Sequence, residues 1–480
     1  MTAVTEKNAA QPLFSLRYLF KGSLIYGSSD LFVAMLRFAL LAVYTRYLSP
    51  AEFGVLALLQ TTILLLSTLA PLGLPSAIMI RFREKEPGRM KEMKDAAFFF
   101  MLCASLGAGL VTALLVFRFY PEKSSSQILG WCMLWTVANI LQFVPAVSLR
   151  FKENIVSFGM TKVAGAIVMV ATIFFLTVGK NLGLQGIIMA EALGSATVLC
   201  FSFILDRYRP ALPPKGIMRG LIVTGLPLCL ISLGVVLIDF SDRYVVYAMM
   251  GGNATGYYAA AAKIAFAACF IAEAFNSMWT PHYYRMAGNT EIPKEQFHAV
   301  AKKLSLLFAA AIGAAMIALP LLADFSIFGR PFVAPAYHGV KVLIAPLTLM
   351  YFFKMIFYIT TPPVTFNERN WKLSGIIYAA VFVNIAGKIL ILKLFAGHDL
   401  YTQLYLVALV SSLSYCICAA LGFIEVFKLH HYSGSMVTHI FIAVALSAAI
   451  LLSPLPLNAG IWIIFSLIFG YRFLKKRTAA

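Results

Sequence analysis

The stretch IDFSDRYVVYAMMGGNATGYYAAAAK, residues 238–263, decides how the chain folds. An Asp-Arg pair stands near its start, two glycines break its middle, and a lysine enters the apolar run that follows. A charge within an apolar run is costly in a membrane, so such charges usually face a cavity between helices. The stretch therefore predicts two membrane helices joined by a glycine turn, with charges directed toward the interior of the protein.

The rest of the chain is as apolar as this stretch. Of its 480 residues, 61% are hydrophobic and 12% are charged, whereas soluble domains carry about 25% charged residues. Many apolar runs reach about 20 residues, enough to cross a hydrocarbon core of roughly 30 Å. The chain is therefore an all-α polytopic membrane protein. Residues 1–21 lack the features of a signal peptide, and residues 12–26 are predicted to form an amphipathic helix on the membrane surface.

The apolar runs divide into fourteen predicted helical spans, with breakers such as Ser49-Pro50 and Gly251-Gly252 at many joints. The spans cover roughly residues 23–45, 54–80, 95–118, 127–149, 156–178, 184–205, 218–248, 254–284, 302–328, 339–361, 372–394, 400–427, 434–453 and 457–474.

Lysine and arginine are distributed unevenly between the two sides of the membrane that these spans define. The termini and alternate joints hold 27 of the 39 Lys and Arg residues, and the opposite joints hold seven. Because basic residues are in excess on the cytoplasmic side, both termini are predicted to be cytoplasmic. The same asymmetry accounts for the net charge of +19, and it favours anionic membrane lipids, not nucleic acid, as partners of the basic surface.

An internal repeat relates the opening stretch to residues 35–60, MLRFALLAVYTRYLSPAEFGVLALLQ. When Gly54 is set against Gly256, Pro50 falls on Gly252, and each segment is a charged helix, a turn and a second helix. The repeat predicts two six-helix lobes, residues 1–210 and 211–430, followed by two trailing helices in residues 431–480. Six is even, so the lobes are parallel repeats about an axis along the membrane normal, with the site between them. A chance match of two helical hairpins is the alternative.

Nine charged residues are the candidates for deep positions in the predicted spans, and the basic ones outnumber the acidic ones. They are Arg37, Glu191, Asp239, Asp242, Arg243, Lys263, Glu273, Lys354 and Lys388. This balance predicts a cationic cavity, which suits an anionic substrate that arginine binds bidentately and lysine binds as a point charge. Lys354 and Lys388 are interpreted as facing the cavity, with snorkelling toward the interface as the alternative.

The acidic residues within the spans admit two interpretations. Asp239 and Arg243 are four residues apart, which favours a local ion pair, and Arg243 is placed near the outer end of its helix. Glu191 and Glu273 are either structural partners of lysines or sites of proton or sodium coupling. The sequence contains no Gly-x-Ser-x-Gly, His-x-x-x-His or phosphate-binding glycine loop. A transporter without a cofactor or metal is therefore predicted, not an enzyme.

Two motifs carry a family resemblance. RYLSPAEFGVLALLQTTILLLSTLAPLGLPSAIMIR, residues 46–81, resembles the first two spans of the polysaccharide-transporter (Wzx-like) flippases. GLPLCL, residues 225–230, and the Asp-Arg and Gly-Tyr-Tyr motifs of the opening stretch are similar to the seventh and eighth spans of that family. The family belongs to the multidrug/oligosaccharidyl-lipid/polysaccharide exporter superfamily, so the resemblance implies twelve or fourteen helices in two lobes and alternating access.

The resemblance also implies a substrate and a site. The expected substrate is an undecaprenyl-diphosphate-linked oligosaccharide for exopolysaccharide, capsule or O-antigen, moved from the cytoplasmic to the periplasmic leaflet of the bacterial inner membrane. A polysaccharide polymerase and glycosyltransferases are the protein partners it implies. The cations that would engage the diphosphate are Arg37, Arg46 and Lys263 and, more loosely, Lys354 and Lys388. The alternatives are a lipid II flippase, a multidrug exporter and a membrane polysaccharide polymerase or ligase.

Overall fold

The computed structural model describes residues 29, 32–81, 87–119, 126–151, 155–212, 216–289, 294–327 and 329–430. The predicted amphipathic helix at residues 12–26 and the two trailing helices in residues 431–480 lie outside these ranges. Residues 32–39 are helical. The helices that follow are α1 (Leu41–Tyr47), α2 (Pro50–Leu69), α3 (Leu74–Arg81), α4 (Pro87–Phe119), α5 (Ser126–Leu141), α6 (Phe143–Phe151), α7 (Ile155–Ile173), α8 (Gly183–Asp206), α9 (Ile217–Phe240), α10 (Asp242–Ala265), α11 (Ala267–Asn289), α12 (Lys294–Asp324), α13 (Lys341–Phe366), α14 (Asn370–Leu394) and α15 (Leu400–His430).

Four short elements complete the described part of the chain. A π-helical turn, Phe174–Gly179, extends α7. Strands β1 (Ser326–Ile327) and β2 (Arg330–Pro331) pair antiparallel after α12, and a 3₁₀ turn, Pro335–Val340, leads into α13.

The predicted all-α membrane class is confirmed. Ten helical stretches in the described ranges are long and apolar enough to cross a membrane. The count of about fourteen spans stays a prediction. One stretch, Ile217–Ala265, has 49 residues; as a straight helix it would be about 74 Å long, more than twice the hydrocarbon thickness. It therefore has to turn back along its length.

The chain turns back at Gly251, which has the non-helical dihedrals φ 84° and ψ −177°. On one side of this break, the Tyr244 hydroxyl is hydrogen-bonded to Thr62 of α2. On the other side of the break, Lys263 donates to Gln60, which lies less than one turn from Thr62 on α2. Tyr244 and Lys263 thus lie at one depth, and Gly251 forms the end of a helical hairpin, as the glycine pair in the sequence predicts.

The equivalent turn in the first half is fixed by a helix cap. The Ser49 Oγ accepts from the backbone N–H of Glu52 at 3.3 Å, and the Glu52 carboxylate accepts from the Ser49 backbone at 3.1 Å. Pro50 is the first residue of α2, where its missing N–H costs no helical hydrogen bond. The Leu-Ser-Pro-x-x-Phe-Gly motif is therefore a capping box that starts α2.

The two halves meet through glycines at these turns. A Cβ at Gly54 would lie 2.3 Å from the carbonyl oxygen of Gly252, and a Cβ at Gly256 would lie 1.9 Å from that of Pro50. The residues of the first contact map onto those of the second by the same offset of 202 that defines the repeat. Each contact is therefore the symmetry mate of the other, as expected at a twofold axis.

Candidate functional site

A cavity of about 490 Å³ lies between the two halves. The first half contributes residues 33–44 and parts of α2, α5, α7 and α8, and the second half contributes the chain from Phe240 to Phe270. This volume falls within the range of about 300–1,000 Å³ of small-molecule sites. The cavity lies where the parallel repeat predicts a site, against the α2–α10 seam.

The described walls of the cavity carry a surplus of positive charge. Four lining residues are basic, namely Arg37, Lys162, Arg243 and Lys263, and Glu191 is the one acidic residue among the described lining residues. Opposite charges outside water interact more strongly than in bulk solvent. The arrangement favours an anionic ligand.

A hydrogen-bonded chain connects the two halves across this cavity. Arg37 Nη2 lies 3.3 Å from Glu191 Oε2, whose second oxygen accepts from Gln60 Nε2 at 3.2 Å. The side-chain oxygen Oε1 of Gln60 in turn accepts a hydrogen bond from Lys263 Nζ at 3.2 Å. The Glu191 side chain is 2% exposed, whereas that of Arg37 is 54% exposed. Arg37 therefore has donors available to a ligand, while Glu191 holds its guanidinium in place.

Lys263 is stabilised by aromatic rings as well as by Gln60. Its Nζ lies 5.3 Å from the ring centroid of Tyr44 and 5.8 Å from that of Phe53. Cation–π contacts of this kind partly offset the cost of removing an ammonium from water. Gln60 and both rings are neutral, so these contacts leave the charge of Lys263 available to an anionic ligand.

The expected ion pair between Asp239 and Arg243 is replaced by two others. Asp242 Oδ1 accepts from Arg243 Nη1 at 3.3 Å, and the guanidinium lies 4.6 Å from the ring centroid of Phe240. Asp242 and Arg243 are buried at the depth of Thr62, so the placement of Arg243 at the outer end of the helix is wrong. Arg243 instead lines the central cavity.

Asp239 belongs to a second, buried cluster within the second half. Lys354 Nζ lies 2.7 Å from Asp239 Oδ2 and 3.1 Å from Glu273 Oε1. Tyr415 donates to Asp239 at 2.6 Å, and Tyr358 donates to Glu273 at 2.7 Å. Lys354 is 3% exposed because α13 is buried along most of its length. Lys354 thus bridges two carboxylates and lies outside the described lining of the cavity.

Two further cations assigned to the cavity from the sequence lie elsewhere. Lys388 is fully buried and donates to Asn384 Oδ1 at 2.7 Å. The two residues therefore share one helical face, as their spacing of four residues predicts. Arg46 is exposed and donates to the carbonyl oxygen of Pro331 at 2.8 Å. Neither residue is among the described lining residues, so the interpretation of both as cavity cations is corrected.

Lys162 is the cavity cation that the sequence interpretation missed. It lies inside α7, where its Nζ is 4.7 Å from the ring centroid of Phe158. Its position within the apolar run of residues 156–178 was the available signal. Among the described residues, no group of three His, Cys, Asp or Glu side chains is arranged to hold a metal ion.

Fold and site together define a polytopic α-helical membrane protein with a cationic cavity between two related halves. The family model described as "Polysaccharide biosynthesis protein" matches residues 19–285, which is more than half of the chain. The chain therefore belongs to this polysaccharide biosynthesis protein family, as the sequence motifs indicate. No curated protein matches the sequence.

Solved structures of transporters share the fold. The lipid II flippase MurJ in an inward closed conformation has a TM-score of 0.66 at 13% identity, covering 95% of this chain and 100% of that one. An inward-facing multidrug resistance MATE family transporter of the MOP superfamily has a TM-score of 0.58 at 17% identity, covering 86% and 100%. A mutant of the Vibrio cholerae MATE transporter VcmN has a TM-score of 0.60 at 15% identity, covering 86% and 97%. The fold is that of the MOP-superfamily transporters.

Proposed function

We propose that the protein is a flippase that carries undecaprenyl-diphosphate-linked oligosaccharide repeat units from the cytoplasmic to the periplasmic leaflet. The observation that carries this proposal is the surplus of cations in the central cavity, where four basic residues surround one carboxylate. A diphosphate diester keeps a negative charge on each phosphate, so it matches this surplus. Membership in a polysaccharide biosynthesis family supports the choice of a glycan carrier over other anions.

The diphosphate would bind between Arg37 of the first half and Lys263 of the second. Arg37 offers a planar fork of donors to the phosphate oxygens, and Lys263 offers a point charge. In the free protein, Glu191 and Gln60 engage these two cations, so the ligand replaces part of an existing network. The polyprenyl tail stays in the bilayer while the head group passes, and the halves rock about the glycine contacts between α2 and α10.

The alternatives differ in how well they fit the cavity. Lipid II, the substrate in the printed name of MurJ, also carries a diphosphate, so a lipid II flippase is the second candidate. A multidrug exporter of cationic drugs would need an acidic cavity, and the cation surplus disfavours it. No described constellation of side chains favours a polymerase or a ligase.

Export in cells tests the proposal. In a strain that depends on this glycan, Arg37→Ala and Lys263→Ala should each lower export by about tenfold or more, because a charge-assisted hydrogen bond contributes about 1.5–3 kcal/mol. Arg37→Lys should retain part of the activity. Arg46→Ala is the matched control. Arg46 lies outside the described cavity lining, and within the described residues its guanidinium donates to the backbone carbonyl of Pro331. Wild-type export by both alanine variants at normal protein level would sink the proposal.

Energy coupling is a separate part of the proposal. Glu191 and Glu273 both form ion pairs, which supports structural roles, but the Glu273 side chain is 47% exposed and shares Lys354 with Asp239. Glu273 is thus the better placed of the two to exchange a proton or a sodium ion with solvent. If it couples transport, Glu273→Gln should remove the dependence of export on the ion gradient while the protein stays folded. An unchanged response to a collapsed gradient assigns Glu273 to structural pairing.

A further inference from the structure

The two halves supply different chemistry to the cavity. Among the described lining residues, the second half contributes Arg243, Lys263 and apolar side chains, while every neutral hydrogen-bonding side chain comes from the first half. Of these, Gln60 is already engaged by Glu191 and Lys263. The polar side chains left for a neutral part of the ligand are concentrated on α5 and α8.

The end of α5 and Gln142, the residue directly after it, present polar groups to the cavity. Trp135, Asn139 and Gln142 are four and three residues apart, so they share one helical face. Gln142 Nε2 donates to the side-chain oxygen of Asn139 at 3.2 Å and to its backbone oxygen at 3.2 Å. Within the described residues, the amide nitrogen of Asn139 and the amide oxygen of Gln142 have no bonding partner. A donor and an acceptor therefore lie side by side.

Trp135 adds a ring and a further donor to this face. Its indole packs against Ile63 and Ala192, which fixes its position in the cavity wall. Its Nε1 is buried and has no hydrogen-bond partner in the described part of the chain. Buried donors without partners are rare in folded proteins, and each one calls for an explanation.

The adjoining wall is formed by closely packed helices. Gly165 of α7 and Gly194 of α8 both line the cavity, and a Cβ at Gly165 would lie 2.8 Å from the carbonyl oxygen of Gly194, so these glycines allow the two helices to approach closely. Ser195, on the same wall, lies one helical turn, about 6 Å, from Glu191. The polar wall therefore adjoins the place where the diphosphate is proposed to bind.

We propose that Trp135, Asn139, Gln142 and Ser195 form a sugar subsite, which receives the sugar attached directly to the diphosphate; this rests on the proposed function. A pyranose carries neighbouring hydroxyls, each a donor and an acceptor, and these match the side-by-side amide groups of Asn139 and Gln142. A site built from unsatisfied polar groups discriminates against ligands that leave them unpaired. The first half thus selects the sugar, and the cations at the seam hold the diphosphate.

Binding to purified full-length protein in nanodiscs tests the subsite. The probes are undecaprenyl diphosphate without sugar and a panel carrying one sugar each, namely glucose, galactose, N-acetylglucosamine or N-acetylgalactosamine. Wild-type protein should bind at least one sugar-bearing lipid about tenfold more tightly than the sugar-free lipid. Asn139→Leu and Trp135→Phe should each reduce this gain by severalfold and leave the affinity for the sugar-free lipid unchanged. Asn276→Leu, outside the described cavity lining, is the matched control.

The outcomes separate the subsite from the function on which it rests. If wild-type protein binds the sugar-free lipid and every panel member equally, the subsite is overturned and the diphosphate site stands. If Asn139→Leu and Trp135→Phe weaken binding of both kinds of lipid alike, the residues act on the fold and not on the sugar, which also overturns it. If wild-type protein binds none of the lipids, the proposed function and the subsite both fall. Loss of the sugar-dependent gain alone supports the subsite.

Discussion

Removing the carboxylate of Asp239 should destabilise the second half of the protein, because this carboxylate neutralises a lysine buried among the same helices. Asp239 Oδ2 lies 2.7 Å from Lys354 Nζ, and the other oxygen accepts from Tyr415 at 2.6 Å. At this distance and an effective dielectric constant of about 20, the Coulomb attraction is about 6 kcal/mol, and the desolvation of both ions offsets much of it. The variant Asp239→Ala leaves the lysine buried and only partly compensated.

The expected loss is about 3 kcal/mol, the lower end of the range for breaking a buried ion pair. The lower end applies because Lys354 keeps a second partner, Glu273, at 3.1 Å. This partner compensates only part of the charge, because it is 47% exposed and solvent screens it. If the second half unfolds as a unit of about 200 residues, this loss lowers the apparent melting temperature by about 6–12 °C.

Thermal unfolding of the purified protein, followed by tryptophan fluorescence, measures this loss. Lys354→Met should be at least as destabilising, since it leaves two carboxylates without their cation. The double variant Asp239→Ala/Lys354→Met should lose less than the sum of the single losses, because the two residues interact. Glu273→Gln is the control and should shift the melting temperature least. Single-variant shifts below about 2 °C, or strictly additive losses, would refute the buried pair.

Three further predictions address the cavity, the seam and the topology. Glu191→Gln should strengthen binding of a polyprenyl diphosphate, because it removes the carboxylate that competes for the cavity cations; weaker binding in an affinity titration would contradict this. Gly256→Ala puts a Cβ 1.9 Å from a backbone oxygen of α2 and should lower the melting temperature and reduce export severalfold, whereas Gly107→Ala, with open space around it, should change neither. A reporter fused after Lys91 should be active only in the cytoplasm and one inserted at Gly251 only outside, and the reverse pattern would overturn the orientation.

The sequence predicts the architecture well because membrane burial leaves a strong signal in composition and because each repeated motif is a short, continuous stretch of sequence. The capping motif at Ser49-Pro50 and the glycine pair at Gly251-Gly252 each specify a turn through backbone chemistry alone. That the two turns touch, through Gly54 and Gly256, is visible only in the structure. Arg37 and Lys263 follow from the alignment of the two turns, since each lies on a helix that flanks one of these turns.

The partners of the buried charges could not be predicted, because they depend on contacts between helices far apart in sequence. Asp239 has Arg243 four residues away but pairs with Lys354, 115 residues later on α13, a helix that packs against α10. Depth in a span does not distinguish a lysine in the cavity from one buried between helices, and Lys388 is of the second kind. The family resemblance places Arg46 in the cavity, whereas in the structure Arg46, near the end of α1, donates to Pro331 of the β-hairpin after α12.

The central claim is that cations of both halves hold a diphosphate in the cavity, and direct binding tests it. Undecaprenyl diphosphate is titrated into nanodiscs that contain the wild type, Arg37→Ala, Lys263→Ala or the control Arg46→Ala, at low and at high salt. The account predicts that each cavity variant binds about tenfold or more weakly and loses part of the salt dependence, while Arg46→Ala behaves as wild type. Equal affinity of Arg37→Ala, Lys263→Ala and wild type for this lipid would contradict the account.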